Sequence, residues 1–161
     1  MAGTTALETY LNDHLAGSAA AIELIETLRA NNSGTPLDAH LAGLGVEVEE
    51  DRDTLRRVMD ALGVPRSTIK QVGGKVLERL SRLRLSDKIT GSPHVTRLME
   101  IETLSLGIEG KSALWRALEP VAAATPGLAA FDLPALGARA AAQRQGLEPF
   151  RLEAAAQAFT A

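Results

Sequence analysis

The sequence predicts an all-α fold, and three of its features support this prediction. Alanine and leucine supply most of the apolar residues, and both favour helices. Aromatic residues, which are frequent in strands, make up only 3% of the chain. Apolar residues recur three or four positions apart, and no segment shows the alternation of a half-buried strand. At 161 residues, the chain is expected to form one domain, 1–161, with a substantial core.

The first two predicted helices are separated by a polar turn. The first helix covers about residues 5–30, and the sequence Asn-Asn-Ser-Gly at 31–34 ends it. Thr35 then predicts an N-cap, and Pro36 predicts the first helical position of a second helix. This second helix is expected to end near Leu62, where glycine and proline interrupt the pattern.

Three further helices are predicted after this break. A shorter third helix covers about 67–85, and a fourth covers about 93–123, again with a serine–proline start at Ser92. Asp132 begins a fifth helix that ends near Phe159. The third helix has a single apolar stripe formed by Ile69, Val72, Val76, Leu80 and Leu83.

The helix lengths suggest an architecture. The first, second, fourth and fifth helices each contain about 25 residues, and the third is shorter and lies in the middle of the chain. This layout is typical of a four-helix bundle whose second and third bundle helices are joined by a long crossover. The predicted short helix would belong to that crossover.

Charged residues interrupt the apolar stripe of the second predicted helix. Leu44, Val48 and Leu55 keep helical spacing, but Asp51 and Arg52 occupy the positions between Val48 and Leu55. Three explanations are open: the charges line a solvated edge, they belong to a buried polar network, or they bind metal. The choice between them bears directly on function.

Four segments carry a resemblance to a known family. They read YLNDHLAGSAAAIELIETL, EVEEDRDTLRRVMDALG, LMEIETLSLGIEGKSALWRAL and QRQGLEPFRLEAAAQAF, and together cover about half of the chain. In pattern and layout they resemble the ferritin-like superfamily, particularly its small bacterial members. The resemblance implies a four-helix bundle with a crossover. Members that handle iron use a glutamate on each of two helices and Glu-x-x-His on each of the other two.

The chain departs from this ligand pattern. Asp53 stands where the second helix would carry the histidine, and Arg151 stands there on the last helix. An arginine cannot bind a metal, because its guanidinium has no free lone pair. Glu102 and Glu109 remain as retained candidates. No histidine follows a glutamate by three positions; the histidines are His14, His40 and His94. The resemblance therefore implies a bundle that has lost its iron site.

Two hypotheses concern the charged residues that remain at the implied centre. In the first, a guanidinium bridges several carboxylates in a buried network; its members are Glu50, Asp51, Asp53, Glu102, Glu148 and Arg151. In the second, an atypical carboxylate site binds two metal ions, using Glu50, Asp53, Glu102 and Glu148.

The predicted crossover segment is basic. Residues 66–88 contain seven basic and two acidic side chains, a pattern that can bind anionic lipid or phosphate. The segment has no tryptophan or phenylalanine that would anchor it in lipid or stack on bases. We therefore expect its apolar stripe to pack on the bundle and its basic face to contact water, without peripheral membrane contact.

Composition limits the possible partners and compartments. The formal net charge of −3 and the pI near 5.6 do not favour nucleic acid. The absence of cysteine excludes a disulfide framework and is consistent with the cytoplasm. No signal peptide and no transmembrane segment are expected from the sequence. A homodimer is predicted, because long helices rich in alanine and leucine leave apolar surface to cover.

The leading functional prediction is a non-enzymatic cytoplasmic bundle that acts as a homodimer or by binding another protein, with no cofactor. The alternative is a di-metal or iron-binding protein with atypical carboxylate ligands. A third possibility is the binding of a small apolar ligand between the helices.

Overall fold

The structure of the protein is a computed structural model that describes residues 2–67 and 91–160. This part of the chain contains four helices: α1 (Ala2–Asn31), α2 (Pro36–Ala61), α3 (Pro93–Ala122) and α4 (Leu133–Thr160). A 3-10 turn, Pro126–Leu128, precedes α4, and the described residues contain no strand. The all-α prediction is confirmed for these residues. The predicted helix over 67–85 lies outside them, apart from Ser67. No described helix combines the length and apolar character needed to cross a membrane.

Three of the predicted helix starts are confirmed. Thr35, Ser92 and Asp132 each accept a hydrogen bond from the backbone N–H three residues later, at 3.3, 3.4 and 3.0 Å. Pro36 and Pro93 occupy the first helical position, where the missing N–H would have no intrahelical partner. These caps fix where α2 and α3 begin.

The end of α2 is set by a left-handed glycine. Gly63 adopts a φ of 65°, which glycine tolerates because it has no Cβ. Its N–H donates to Asp60 O at 3.1 Å, and the N–H of Val64 donates to Met59 O at 2.9 Å. This pair of hydrogen bonds is a Schellman motif. Met59 and Val64 are both buried in one apolar cluster, so the motif also anchors the chain after α2.

The core consists of two apolar clusters at opposite ends of the bundle. The first, called the αN2 cluster because it holds the N-terminal half of α2, contains Leu24, Ile25, Leu28, Leu37, Leu41, Leu44, Val48, Leu98, Ile101, Leu104, Ile108, Ala140, Leu147 and Ala154. The second, called the αC2 cluster, contains Leu11, Leu55, Val58, Met59, Val64, Leu114, Trp115, Leu118, Leu128 and Leu133.

Membership of the two clusters gives the direction of each helix. The αN2 cluster combines the later part of α1, the starts of α2 and α3, and the later part of α4. The αC2 cluster combines the opposite ends. Helices α1 and α4 therefore run in one direction, and α2 and α3 run in the other.

The packing partners place α2 and α3 on a diagonal. Helix α1 packs against α2 and α3, and α4 packs against α3 and more narrowly against α2. Helices α2 and α3 do not approach each other within 8 Å between Cα atoms. Because α2 ends at the αC2 end and α3 begins at the αN2 end, the segment between them starts and finishes at opposite ends of the bundle.

The start of this connection is held on α1 by Asn12. The buried Asn12 side chain donates through Nδ2 to Pro65 O at 3.0 Å and accepts from the N–H of Ser67 at 2.7 Å. The backbone groups that follow α2 are thus satisfied by a side chain of another helix. This contact keeps residues 65–67 at the αC2 end.

Candidate functional site

A buried ion pair lies between the two apolar clusters. Lys111 of α3 places Nζ 2.5 Å from Asp51 Oδ2 of α2. The same Nζ donates to Gln143 Oε1 of α4 at 2.5 Å, and Gln143 Nε2 donates to Asp51 Oδ2 at 3.1 Å. Asp51 is 3% exposed and Gln143 is 5% exposed. This central triad of Asp51, Lys111 and Gln143 joins three helices.

Arg139 and two glutamates extend the central triad towards the surface. Arg139 Nη2 donates to Glu50 Oε2 at 2.6 Å, and its Nε lies 3.7 Å from Asp51 Oδ1. Gln143 Nε2 also donates to Glu47 Oε2 at 2.9 Å. Acidic side chains of α2 are therefore balanced by basic side chains of α3 and α4. The charges in the middle of the α2 stripe form a polar layer across the bundle.

Burial and neighbouring charges act in opposite directions on the two cations of this layer. Burial lowers the pKa of Lys111, while the charge and hydrogen bond of Asp51 act to raise it. At Arg139, burial is outweighed by the hydrogen bond with Glu50 and the charge of Asp51, so the pKa of Arg139 is raised. Asp51 thus stabilises both cations in their charged form.

A cavity of about 90 Å³ lies beside the central triad, between α1, α2 and α3. Much of its wall is apolar and is formed by the buried indole of Trp115 together with Val48, Leu55, Ile108 and Leu114. Gly17 of α1 and Gly107 of α3 also line it, and both are exposed. A Cβ added to either glycine would meet no atom within 4 Å. We call these two glycines the mouth of the cavity.

Three of the residues that line the cavity each have a buried polar atom without a hydrogen-bond partner within residues 6–67 and 91–160. These atoms are Asp51 Oδ1, Arg52 Nε and Trp115 Nε1. Arg52 also forms no ion pair with any residue in these ranges. Burial and the charge of Arg56 lower the pKa of Arg52, against smaller opposing contributions from Asp53 and Glu49. The Arg52 guanidinium therefore carries a charge that its surroundings compensate only partly.

His14 adds a titratable group to the cavity wall. Its ring contacts Tyr10 edge-on, with the centroids 4.6 Å apart. Burial lowers the pKa of His14, and the nearby charge of Asp13 opposes this effect. The imidazole is consequently favoured in its neutral form near pH 7.

Arg151 contacts two of the five carboxylates assigned to its predicted network. Its Nη1 lies 3.3 Å from Glu102 Oε1, and its Nη2 lies 2.6 Å from Glu148 Oε1. The three side chains are 29%, 45% and 48% exposed, respectively. The hydrogen bond with Glu148 raises the pKa of Arg151 and lowers the pKa of Glu148. This cluster lies at the solvent edge between α3 and α4 rather than at the centre.

The other predicted members are distributed over α2. Asp53 pairs with Arg56 at 2.8 Å on the surface, and Glu50 pairs with Arg139. Asp51 is the single buried residue of the predicted six. Residues two positions apart on a helix differ by about 200° in direction, so Asp53 faces away from Asp51. In the described structure, Asp51 and Glu50 therefore lie in the polar layer around the central triad, Asp53 lies in a surface pair, and Arg151, Glu102 and Glu148 lie in a separate edge cluster.

The four carboxylates assigned to an atypical di-metal site do not fit two shared ions in this arrangement. Each is bonded to an arginine: Glu50 to Arg139, Asp53 to Arg56, and Glu102 and Glu148 to Arg151. Within the described ranges, no three His, Cys, Asp or Glu residues are grouped closely enough to hold a metal ion. Two bridged metal ions would require carboxylates that both ions share. Here each of these carboxylates has an arginine as its partner instead.

Sequence reasoning missed Lys111 and Gln143. A signal for Lys111 was present, because it continues the spacing of Leu104, Ile108 and Trp115 along the buried face of α3. A charged residue in that register faces the core and requires a partner there. Gln143 likewise lies on the buried face of α4 with Ala140 and Leu147. The partners themselves could not be read from the sequence.

Comparison of the chain with protein-family models, with curated proteins and with solved structures gives no match in any of the three.

Proposed function

We propose that the protein is a ferritin-like helical bundle that acts by binding rather than by catalysis, and that an internal ion pair has replaced the family's metal centre. The observation that carries this proposal is the position of Lys111. Its ammonium group lies between Asp51 and Gln143 at mid-bundle, where the resembling family keeps metal ions. A covalently attached cation neutralises the buried carboxylate without any metal.

The course of the chain supports the ferritin-like part of the proposal. A ferritin-like bundle has one long connection, which joins its second and third helices. Here α2 and α3 run in the same direction on a diagonal, and the segment that joins them starts and finishes at opposite ends of the bundle. A bundle with only short loops would instead place consecutive helices antiparallel to each other.

Metal analysis of the full chain tests this proposal against the di-metal alternative. The protein is purified without a histidine tag, incubated with Fe²⁺, Mn²⁺ or Zn²⁺, desalted and measured by inductively coupled plasma mass spectrometry. We expect a metal content far below one ion per chain. Two retained ions per chain that disappear in Glu102→Gln and Glu148→Gln would support the alternative instead.

A homodimer is the binding mode that we propose, and exposed apolar residues support it. Met99 and Leu106 are seven positions apart on α3, and Leu152 and Phe159 have the same spacing on α4. Seven residues are about two helical turns, so each pair forms a strip along its helix. Leu106 is 73% exposed and Phe159 is 76% exposed.

The charged residues of α3 and α4 favour a second copy of the chain as the partner that covers this apolar surface. Ion pairs across α3 and α4, between Glu109 and Arg144 and between Glu102 and Arg151, carry both signs. A two-fold axis can place the acidic groups of one copy opposite the arginines of the other. We propose the cytoplasm as the compartment, because the chain contains no cysteine.

A further inference from the structure

We propose that the cavity between α1, α2 and α3 is a binding site for a small organic monocarboxylate with an apolar body. Arg52 would pair with its carboxylate, and Trp115 would donate a hydrogen bond to it. This inference is independent of the surface-mediated role proposed above, because the site lies inside the bundle and requires neither a dimer nor a metal.

The cavity has the lining expected of a ligand site. Its walls are chiefly apolar, with a few polar groups among them. The polar atoms without a partner in the described structure include two donors, Trp115 Nε1 and Arg52 Nε. Trp115 is 1% exposed, and a buried indole N–H normally has a hydrogen-bond partner. A carboxylate has several acceptor positions, so one such group can accept hydrogen bonds from more than one donor.

Charge selects an anion over a neutral or cationic ligand. The cavity wall contains Asp51, Lys111 and Arg52. Asp51 and Lys111 neutralise each other at 2.5 Å, which leaves the positive charge of Arg52 without an ion-pair partner among the described residues. A bound carboxylate would balance this charge and form the stronger, charge-assisted type of hydrogen bond. The lowered pKa of Arg52 agrees with the same lack of compensation.

The mouth of the cavity is formed by two glycines, at helical positions where glycine does not increase helix stability. Glycine lowers helix stability relative to alanine, and neither Gly17 nor Gly107 has a neighbour that a Cβ would contact. Close helix packing therefore does not account for these glycines. The missing side chains leave the opening of the cavity wide, and a larger side chain at either position would narrow it.

The volume indicates a ligand of one ring or one short branched chain. A dry cavity of about 150 Å³ in another protein accepts benzene. The present cavity of about 90 Å³ is smaller, but it opens at its mouth, so part of the ligand can remain there. Benzoate and short branched carboxylates have a suitable size and shape.

Three probes of nearly equal shape test the charge preference: benzoate, benzyl alcohol and benzylamine. Trp115 is the only tryptophan of the chain, so the single indole resonance of the full-length protein in a ¹H–¹⁵N spectrum reports on the cavity. We expect benzoate to shift it saturably at millimolar concentrations and to bind about tenfold more tightly than benzyl alcohol, since one charge-assisted hydrogen bond is added. Benzylamine should not bind saturably.

Matched variants locate the binding. Arg52→Gln should remove the preference for benzoate, whereas Arg56→Gln, one turn away and outside the cavity wall, should retain it. Gly107→Leu should abolish saturable binding by closing the mouth. Gly110→Leu on the same helix, where a Cβ also meets open space, should bind like the wild type.

Several results would overturn this inference. They are equal or tighter binding of benzyl alcohol, a benzoate affinity that is unchanged in Arg52→Gln, and an indole resonance that no probe shifts saturably. The last result would show that the cavity holds water only. Because Arg52→Gln leaves the apolar wall intact, it keeps the test decisive if Gly107→Leu does not fold.

Discussion

Lys111 and Asp51 form an ion pair across the diagonal of the bundle, although their helices do not approach each other within 8 Å between Cα atoms. The long lysine side chain spans the distance that the backbones leave open. Gln143 hydrogen-bonds to both partners: its Oε1 accepts from Lys111 Nζ, and its Nε2 donates to Asp51 Oδ2. Both charges are largely removed from water, so each offsets much of the free-energy cost of burying the other.

Removal of the lysine should destabilise the fold strongly. Lys111→Met removes the cation in direct contact with the buried Asp51 and leaves only Arg139, whose Nε lies 3.7 Å from Asp51 Oδ1. We expect a loss of about 3–5 kcal/mol in the free energy of unfolding. Urea denaturation followed by circular dichroism measures this. The double variant Lys111→Met with Asp51→Leu should recover at least half of the loss, because no uncompensated charge remains.

Arg151→Met is the matched control for this prediction. Arg151 bridges Glu102 and Glu148 at the solvent edge, where surface ion pairs contribute little and are screened by salt. Its effect should be clearly smaller than that of Lys111→Met and should decrease further at high salt. Equal effects of the two substitutions would show that the bundle does not depend on the central pair.

His14 should make the protein less stable in mild acid. Burial lowers its pKa in the folded state below its ordinary value, so the unfolded chain takes up the proton first. The contribution of neutral His14 is fully present above about pH 6.5 and is lost as the pH falls through the lower pKa of the folded state. Urea denaturation of wild type and His14→Gln at several pH values isolates this contribution. The stability difference between the two proteins should change over this interval and be constant above it.

Gly127 and Gly137 should respond oppositely to alanine. A Cβ at Gly127 would lie 2.6 Å from the backbone oxygen of Ala61, so the 3-10 turn and the end of α2 would have to separate. We expect Gly127→Ala to destabilise by about 1–3 kcal/mol. Gly137 lies within α4 with open space around a Cβ, and Gly137→Ala should stabilise by up to about 1 kcal/mol. Thermal or urea unfolding compares the two; destabilisation by both would contradict the prediction.

The predicted homodimer should depend on α3. Size-exclusion chromatography with multi-angle light scattering should give twice the chain mass for the wild type. It should give a single chain mass for Leu106→Lys, because the substitution places a charge in the proposed interface. Val46→Lys on α2 is the control, since Val46 is also exposed but lies on another helix. A monomeric wild type at all concentrations would exclude the dimer.

Local signals in the sequence determined the helices themselves. Three helix starts depend only on residues that are close in sequence. The side chains of Thr35, Ser92 and Asp132 each cap a helix by accepting a hydrogen bond from the backbone N–H three residues later. The apolar stripe of α2 likewise predicted its buried face, because Leu44, Val48 and Leu55 are all buried. The interrupted stripe of α2 correctly drew attention to Asp51.

Only the tertiary structure decided which charges meet. Asp51 could have been paired with Arg151, as the sequence pattern suggested, but α4 presents Arg151 to the solvent edge and Gln143 to the centre. The partner of Asp51 is 60 positions away on the diagonal helix, and no local preference encodes such a contact. The cavity at Gly17 and Gly107 is also a tertiary feature, because an opening exists only where helices distant in sequence fail to fill the space between them. Short-range hydrogen bonding and helical period are properties of neighbouring residues, whereas charge pairing and cavities depend on how whole helices are oriented when they pack.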